Sequence, residues 1–314
     1  ISSDFTRPPT NRQPQKKRCF AANSVLRRKT RPRLGRRECV NQKAALMSRI
    51  SSTFTRLRQQ NQRALVPFVT LGDPNLEITK ALALSYIEAG ADILEIGIPF
   101  TDPLADGPTI QRASERALQN GTTMDDAFEL LSALRAQTDV PLVPMTYINP
   151  VWQIGFDEFA RRCAQVGADG VIISDLPPEE GKNWAASGKK HGVDTIFLTA
   201  PTSDEARLQR VDEVASGFIY AVARLGVTGA RDDVPPEIGD LVARIKSVSK
   251  TPVCAGFGFS RPEQIEKTVR NTDVDGIVVA SALIDVFENA AGTPLERVKT
   301  AANFARTLKA ATIL

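Results

Sequence analysis

The formal net charge of +4 misrepresents most of this 314-residue chain. Residues 1–47 carry 13 Lys/Arg against 2 Asp/Glu, whereas residues 48–314 carry 27 against 34, so the basicity belongs to an N-terminal stretch and the body offers no nucleic-acid-binding stripe. No apolar run approaches the ~20 residues that span a bilayer, and Cys19, Cys39, Cys163 and Cys254 form no CxxC and have no neighbouring His, which argues against a zinc site or a disulfide scaffold.

The stretch ISSDFTRPPTNRQPQKKRCFAANSVLRRKTRPRLGRREC is Arg-rich, poor in acids and without a sustained apolar face. It cannot bury enough surface to offset its ordering entropy, so residues 1–47 are expected to be a disordered extension. Its composition resembles an organellar transit peptide, which predicts a plastid-stroma protein; a solvated extension or a nucleic-acid-binding arm is the alternative, with a cytoplasmic location. The chain opens on Ile1 rather than Met, as a piece of a longer precursor would, and Met47 marks either a trimmed boundary or an alternative start.

From residue 64 onward, short apolar runs alternate with longer amphipathic ones. The candidate strands are 64–71, 91–97, 141–148, 168–175, 193–200, 217–223, 252–258 and 274–280. Most are rich in Val, Ile, Leu or Phe without strict alternation, the pattern of parallel strands covered on both faces. Helices are expected between them, among them 77–90, 203–216 with Ser203 as N-cap, and 260–271 opening on Ser260. Eight strands and eight helices closing on themselves give a (β/α)8 TIM barrel over residues 48–314, near the ~250 residues usual for that fold. An open doubly wound sheet is disfavoured, since no GxGxxG follows the first strand. Functional residues are then expected at the C-terminal ends of the strands.

Glu95 lies inside the apolar strand ADILEIG, where an unpaired carboxylate is expelled or protonated. Either a buried cation neutralises it, or it is tuned to exchange protons near neutral pH. The segment that follows, IPFTDPLADGPTIQ (98–111), is long, held by Pro99, Pro103 and Pro108, and carries Asp102 and Asp106. Glu95 and Asp106 therefore form a candidate acid–base pair across a strand and its loop.

The run LEIGIPFTDPLADGPTIQ, with PFVTLGDP (67–74) before it and MTYINP, IYAVARLGVTGAR, GFGFSRPEQ and VVASALI after it, resembles the tryptophan synthase alpha chain family over residues 50–314. The resemblance implies a carbon–carbon lyase of tryptophan biosynthesis. Its reaction would be the retro-aldol cleavage of indole-3-glycerol phosphate to indole and glyceraldehyde 3-phosphate, with no cofactor in this chain. It further implies a beta-subunit partner that carries pyridoxal phosphate, in an alpha2-beta2 heterotetramer. Glu95 matches the general acid–base residue, Asp106 the carboxylate that holds the indole N–H, and Tyr220 a catalytic-site tyrosine. Phe68, Ile110, Tyr147 and Phe257 match positions lining the indole slot. Gly229, Gly258 and Ser281 match phosphate contacts, with Ser281 a candidate cap of a short helix, and Thr228 matches a lid residue closing over Asp106 from loop 223–237. Pro99, Asp102, Pro103 and Asn149 match the face toward the beta subunit, and Asp73 a position near the mouth. One departure stands beside Ser281: Ala280 replaces the family's usual Gly, at a cost of about 1 kcal/mol if that residue needs positive φ and none otherwise. A stand-alone lyase releasing free indole shares every one of these residues. A non-catalytic regulatory homologue is opposed by the presence of both carboxylates, and a phosphate-binding sugar isomerase would not need the acidic loop.

Overall fold

The computed structural model describes residues 47–222 and 237–314; the sequence readings on residues 1–46, Thr228 and Gly229 lie outside them. Eight parallel strands close into one barrel in chain order. They are β1 (Ala64–Thr70), β2 (Leu94–Gly97), β3 (Leu142–Thr146), β4 (Gly170–Ile173), β5 (Asp194–Thr199), β6 (Ile219–Val222), β7 (Val253–Gly256) and β8 (Gly276–Val279), each inside its predicted run. Pairing of β1 with β8, from Ala64 beside Gly276 to Pro67 beside Val279, completes the ring.

The described residues form twelve helices rather than eight: α1 (Arg49–Gln59), α2 (Leu76–Glu88), α3 (Pro108–Gln119), α4 (Met124–Arg135), α5 (Ile148–Ile154), α6 (Phe156–Gln165), α7 (Lys182–His191), α8 (Glu205–Val214), α9 (Glu237–Val248), α10 (Pro262–Asn271), α11 (Ser281–Asn289) and α12 (Pro294–Ala310). One extra helix precedes the barrel, and pairs of helices occupy the connections after β2 and β3 and the segment after β8. Two caps also differ from expectation. Asp204, not Ser203, caps α8, its carboxylate accepting the Arg207 N–H at 2.7 Å; the Ser203 hydroxyl instead accepts the Ala200 N–H. Arg261 occupies the N-cap position of α10, one residue after Ser260, whose N–H donates to the Gln264 side chain.

Period-two alternation sorts the strand residues into two layers. Leu65, Leu94, Ile96, Ile219, Val253 and Ile277 face outward into the large cluster shared with the helices. Ala64, Val66, Ile93, Val143, Ile172, Ile196, Phe218, Cys254 and Val278 face inward. The N-terminal end of this interior is plugged by α1, whose Ile50, Phe54 and Leu57 recur at helical spacing and join the inner cluster. Chemistry is thereby left to the opposite end, where the strands point their C-termini.

Carboxylates fix that closed end. Asp92, Asp169 and Asp275 sit just before β2, β4 and β8, are all buried, and each accepts a main-chain N–H from a neighbouring strand or its start: Leu65, Leu142 and Val253 respectively. Each also pairs with cations: Asp92 with Arg56 and Lys309, Asp169 with Arg49 and Arg135, Asp275 with Arg58 and Lys246. The arginines of α1 thus tie the plug to the strands it covers. Asp169→Ala leaves the Arg135 guanidinium without its 2.7 Å carboxylate partner. It is expected to lower the unfolding free energy by about 3 kcal/mol, read from urea melts; a loss below about 1 kcal/mol would show that the pair is not what fixes this end.

Candidate active site

Glu95 follows the inward parity of Ile93 and lies in register with Phe68 on one side and Val143 on the other. Its side chain is 1% exposed. Among the described residues no Lys or Arg forms an ion pair with it, and Oε2 has no hydrogen-bond partner. Burial, reinforced by the nearby Asp106 charge, pushes its pKa up to about 8. The alternative of a structural, cation-paired Glu finds no partner here.

Asp106 reaches the same space from the loop after β2. The Asp106 N–H donates to the Pro103 carbonyl at 3.0 Å, and the Gln111 amide donates to the Asp106 carbonyl at 2.8 Å, so the loop is tied to itself and to α3. The Tyr147 hydroxyl accepts the Ala105 N–H at 3.2 Å, while its ring stacks on Phe100 with centroids 5.1 Å apart. Burial raises the Asp106 pKa to about 6, held from going higher by the Tyr147 hydroxyl. Both carboxyl groups are thus pushed above their ordinary values, Glu95 further than Asp106.

Two glycines make room for the rings around them. A Cβ on Gly97 would meet the Phe68 ring at 2.2 Å, and one on Gly256 would meet the Tyr220 ring at 2.4 Å. Both glycines keep the inward parity of their strands, Gly97 one step above Glu95 and Gly256 one step above Cys254. Tyr220 stays a neutral phenol, its pKa driven up by burial and by Glu95.

Glu95, Asp106 and Tyr220 line one cavity at the C-terminal end of the barrel, with Phe68, Ile110, Gly258 and Ser281 in its wall. Two of the proposed slot residues lie elsewhere. Tyr147 is behind the wall, bracing the Asp106 loop. Phe257 follows outward parity from Val253 and Ala255 and packs into the layer under the helices. Gly258 then takes φ +75°, which turns the chain and brings Phe259 to the cavity instead. Met145 and Leu198 also line it; their inward parity with Val143 and Ile196 would have found them.

At the far side, Ala280 is the N-cap of α11 and Ser281 its first residue, so Ser281 does not cap the helix. The φ of Ala280 is −117°, so the position does not need the positive φ that would have favoured Gly. The Leu283 N–H already donates to the Ala280 carbonyl at 3.0 Å, and among the described residues no main-chain carbonyl accepts the N–H groups of Ser281 and Ala282, which leaves those two to meet an anion. Asp73 is buried in a bidentate pair with Arg116, both contacts at 2.8 Å, and so anchors α3 rather than facing the mouth as a free group. On the loop, Asp102 is exposed, Pro103 half-buried and Pro99 buried, and Asn149 is exposed on α5. Leu104, 86% exposed, and Trp152, 67% exposed, add apolar surface close in sequence to Asp102 and Asn149.

Comparison with known proteins places the chain in a family. Residues 54–313 match the profile of the tryptophan synthase alpha chain. The tryptophan synthase alpha chain of Carboxydothermus hydrogenoformans is 46% identical over 253 residues, covering 81% of this chain and 94% of the relative. That of Geotalea uraniireducens is 47% identical over 249 residues, covering 79% and 92%. Among solved structures, a chain of Mycobacterium tuberculosis tryptophan synthase superposes with a TM-score of 0.78 at 36% identity, covering 85% of this chain and 99% of that one. The alpha subunit from Legionella pneumophila gives 0.76 at 34% identity, covering 85% and 98%. The chain belongs to the tryptophan synthase alpha chain family, lyases of tryptophan biosynthesis.

Proposed function

We propose that this chain cleaves indole-3-glycerol phosphate to indole and glyceraldehyde 3-phosphate, with Glu95 and Asp106 as its catalytic carboxyl groups. The observation that supports this most is that two buried carboxyl groups, one on β2 and one on the loop after it, line a single cavity, with burial raising Glu95 further than Asp106. The protonated Glu95 gives its proton to indole C3, and the ring becomes a cation. Asp106, already ionised, accepts the indole N–H and stabilises that cation. The Glu95 carboxylate then takes the proton of the C3′ hydroxyl. The C3–C3′ bond breaks, its electron pair returns to the ring to give neutral indole, and the C3′ carbon becomes the aldehyde. Glu95 ends as it began, so the cycle needs no cofactor in this chain. Gly258, Ser281 and the N–H groups opening α11 hold the phosphate, with Gly229 and the lid residue Thr228 assigned by family match. Phe68 and Ile110 flank the indole, and the Tyr220 phenol stands beside Glu95.

Glu95→Gln keeps the shape but removes the transferable proton, and is expected to lower kcat by about 10³-fold with substrate affinity preserved; residual turnover within tenfold of wild type contradicts the role. For the wild type, kcat/KM requires protonated Glu95 and ionised Asp106. It therefore rises as pH passes about 6 and falls as pH passes about 8. Asp106→Asn removes the charge that helps raise Glu95, so the acid limb disappears and the alkaline limb moves to lower pH.

The partner we propose is a beta subunit carrying pyridoxal phosphate, in an alpha2-beta2 complex, seated on Asp102, Pro103 and Asn149. The exposed Leu104 and Trp152 favour this over a stand-alone lyase, since large apolar side chains at 86% and 67% exposure suit an interface. Indole release should rise severalfold when beta subunit is added and that rise should shrink in Trp152→Ser; high intrinsic release unaffected by beta subunit supports the stand-alone enzyme. We further propose that residues 1–47 form a separate plastid transit extension, on the strength of 13 Lys/Arg against 2 Asp/Glu. A reporter fused to residues 1–47 is expected in plastids, and its retention in the cytosol rejects the reading.

A further inference from the structure

Among the described residues, two cavity-lining side chains bury a polar atom with no hydrogen-bond partner: Glu95 through Oε2 and Ser174 through Oγ. The first is used by the reaction. The second is not. Ser174 directly follows β4 and is 7% exposed; its N–H donates to the Thr146 carbonyl at 2.9 Å, and its side chain continues the inward parity of Ile172. Its neighbours in the wall, Met145 and Leu198, are apolar. A buried hydroxyl without a partner lowers the affinity of any ligand that covers it without bonding it.

In a barrel closed in chain order, β4 faces β8 and β3 faces β7. The phosphate end of the substrate lies at Gly258 and Ser281, after β7 and β8, and the ring N–H lies at Asp106. The benzenoid edge of the indole then points toward the β3–β4 wall, where Ser174 stands. The carbons of that edge offer the hydroxyl nothing. Beside Ser174, a recess of about 290 Å3, with Asp175, Thr199 and Thr202 as well as the apolar Leu176 and Pro177 in its lining, shares Ser174, Leu198 and Val222 with the cavity, which leaves room for a ring substituent.

We propose that Ser174 forms a subsite for a hydrogen-bonding group on the benzenoid ring. The chain then selects hydroxy- or amino-substituted indole-3-glycerol phosphates over substrates carrying an apolar group of the same size. This rests on the cleavage reaction proposed above.

The test uses that reaction in reverse, condensing glyceraldehyde 3-phosphate with hydroxyindoles and with methylindoles substituted at the same ring carbon. At the favoured position the wild type is expected to show a hydroxy-to-methyl ratio of kcat/KM of about ten, one neutral hydrogen bond's worth. Ser174→Ala should bring that ratio to about one. Calorimetric affinities of the same indole pairs should change in parallel and can be read even where turnover is low. A wild-type ratio near one at every ring position overturns the proposal, as does a ratio that survives in Ser174→Ala. A fall in apparent Tm of Ser174→Ala also overturns it, because the hydroxyl would then be bonded within the protein. Failure of the wild type to condense unsubstituted indole would instead reject the cleavage reaction itself.

Discussion

A carboxyl group buried inside the barrel, with no ion-paired cation among the described residues, shapes the rest of this molecule. Glu95 is almost wholly removed from water, and its charged form is penalised by that burial more than by any single neighbour. The penalty persists because the barrel gives water and cations no entry from below. The α1 plug fills the N-terminal end with Ile50, Phe54 and Leu57, and the arginines of that helix are engaged by the Asp92, Asp169 and Asp275 carboxylates. The arginines of α1 are thus committed to the N-terminal end of the barrel, and Glu95 faces the cavity at the other.

Separation of the two carboxyl pKa values then follows from how each is held. Glu95 sits on a strand, among apolar neighbours, with Oε2 unpartnered. Asp106 sits on a loop tied down by Pro103, Gln111 and Tyr147, and the Tyr147 hydroxyl favours its ionised form. Asp106 in turn raises Glu95 by its charge. The Asp106 charge thus holds Glu95 toward its protonated form, which suits the proposed roles of acid and fixed anion. Gly97 and Gly256 complete the arrangement by admitting the rings of Phe68 and Tyr220 beside the acid.

The eight strands were legible in the sequence because parallel strands covered on both faces leave continuous apolar runs, and Glu95 stood out as the exception within one of them. Asp106 was legible only through its loop and the family match. Helix α1 went unread: its Ile50, Phe54 and Leu57 spacing is helical, but four polar or charged residues lie between Phe54 and Gln60, and the barrel pattern begins later at residue 64. Strand parity would have moved Phe257 out of the indole slot and put Met145 and Leu198 into it. It would not have found Phe259, which reaches the cavity through the φ +75° turn at Gly258. The harmlessness of Ala280 and the ring clearances at Gly97 and Gly256 depend on a backbone angle and on neighbours distant in sequence, so no local pattern carries them.

In the proposed cycle Glu95 holds its proton through neutral pH while Asp106 does not. Infrared or 13C NMR titration of carboxyl groups, comparing wild type with Glu95→Gln, measures this directly. One carboxyl signal titrating near pH 8 and lost in the variant is the result this account predicts. A Glu95 signal titrating near the ordinary glutamate value of about 4.3 would contradict it.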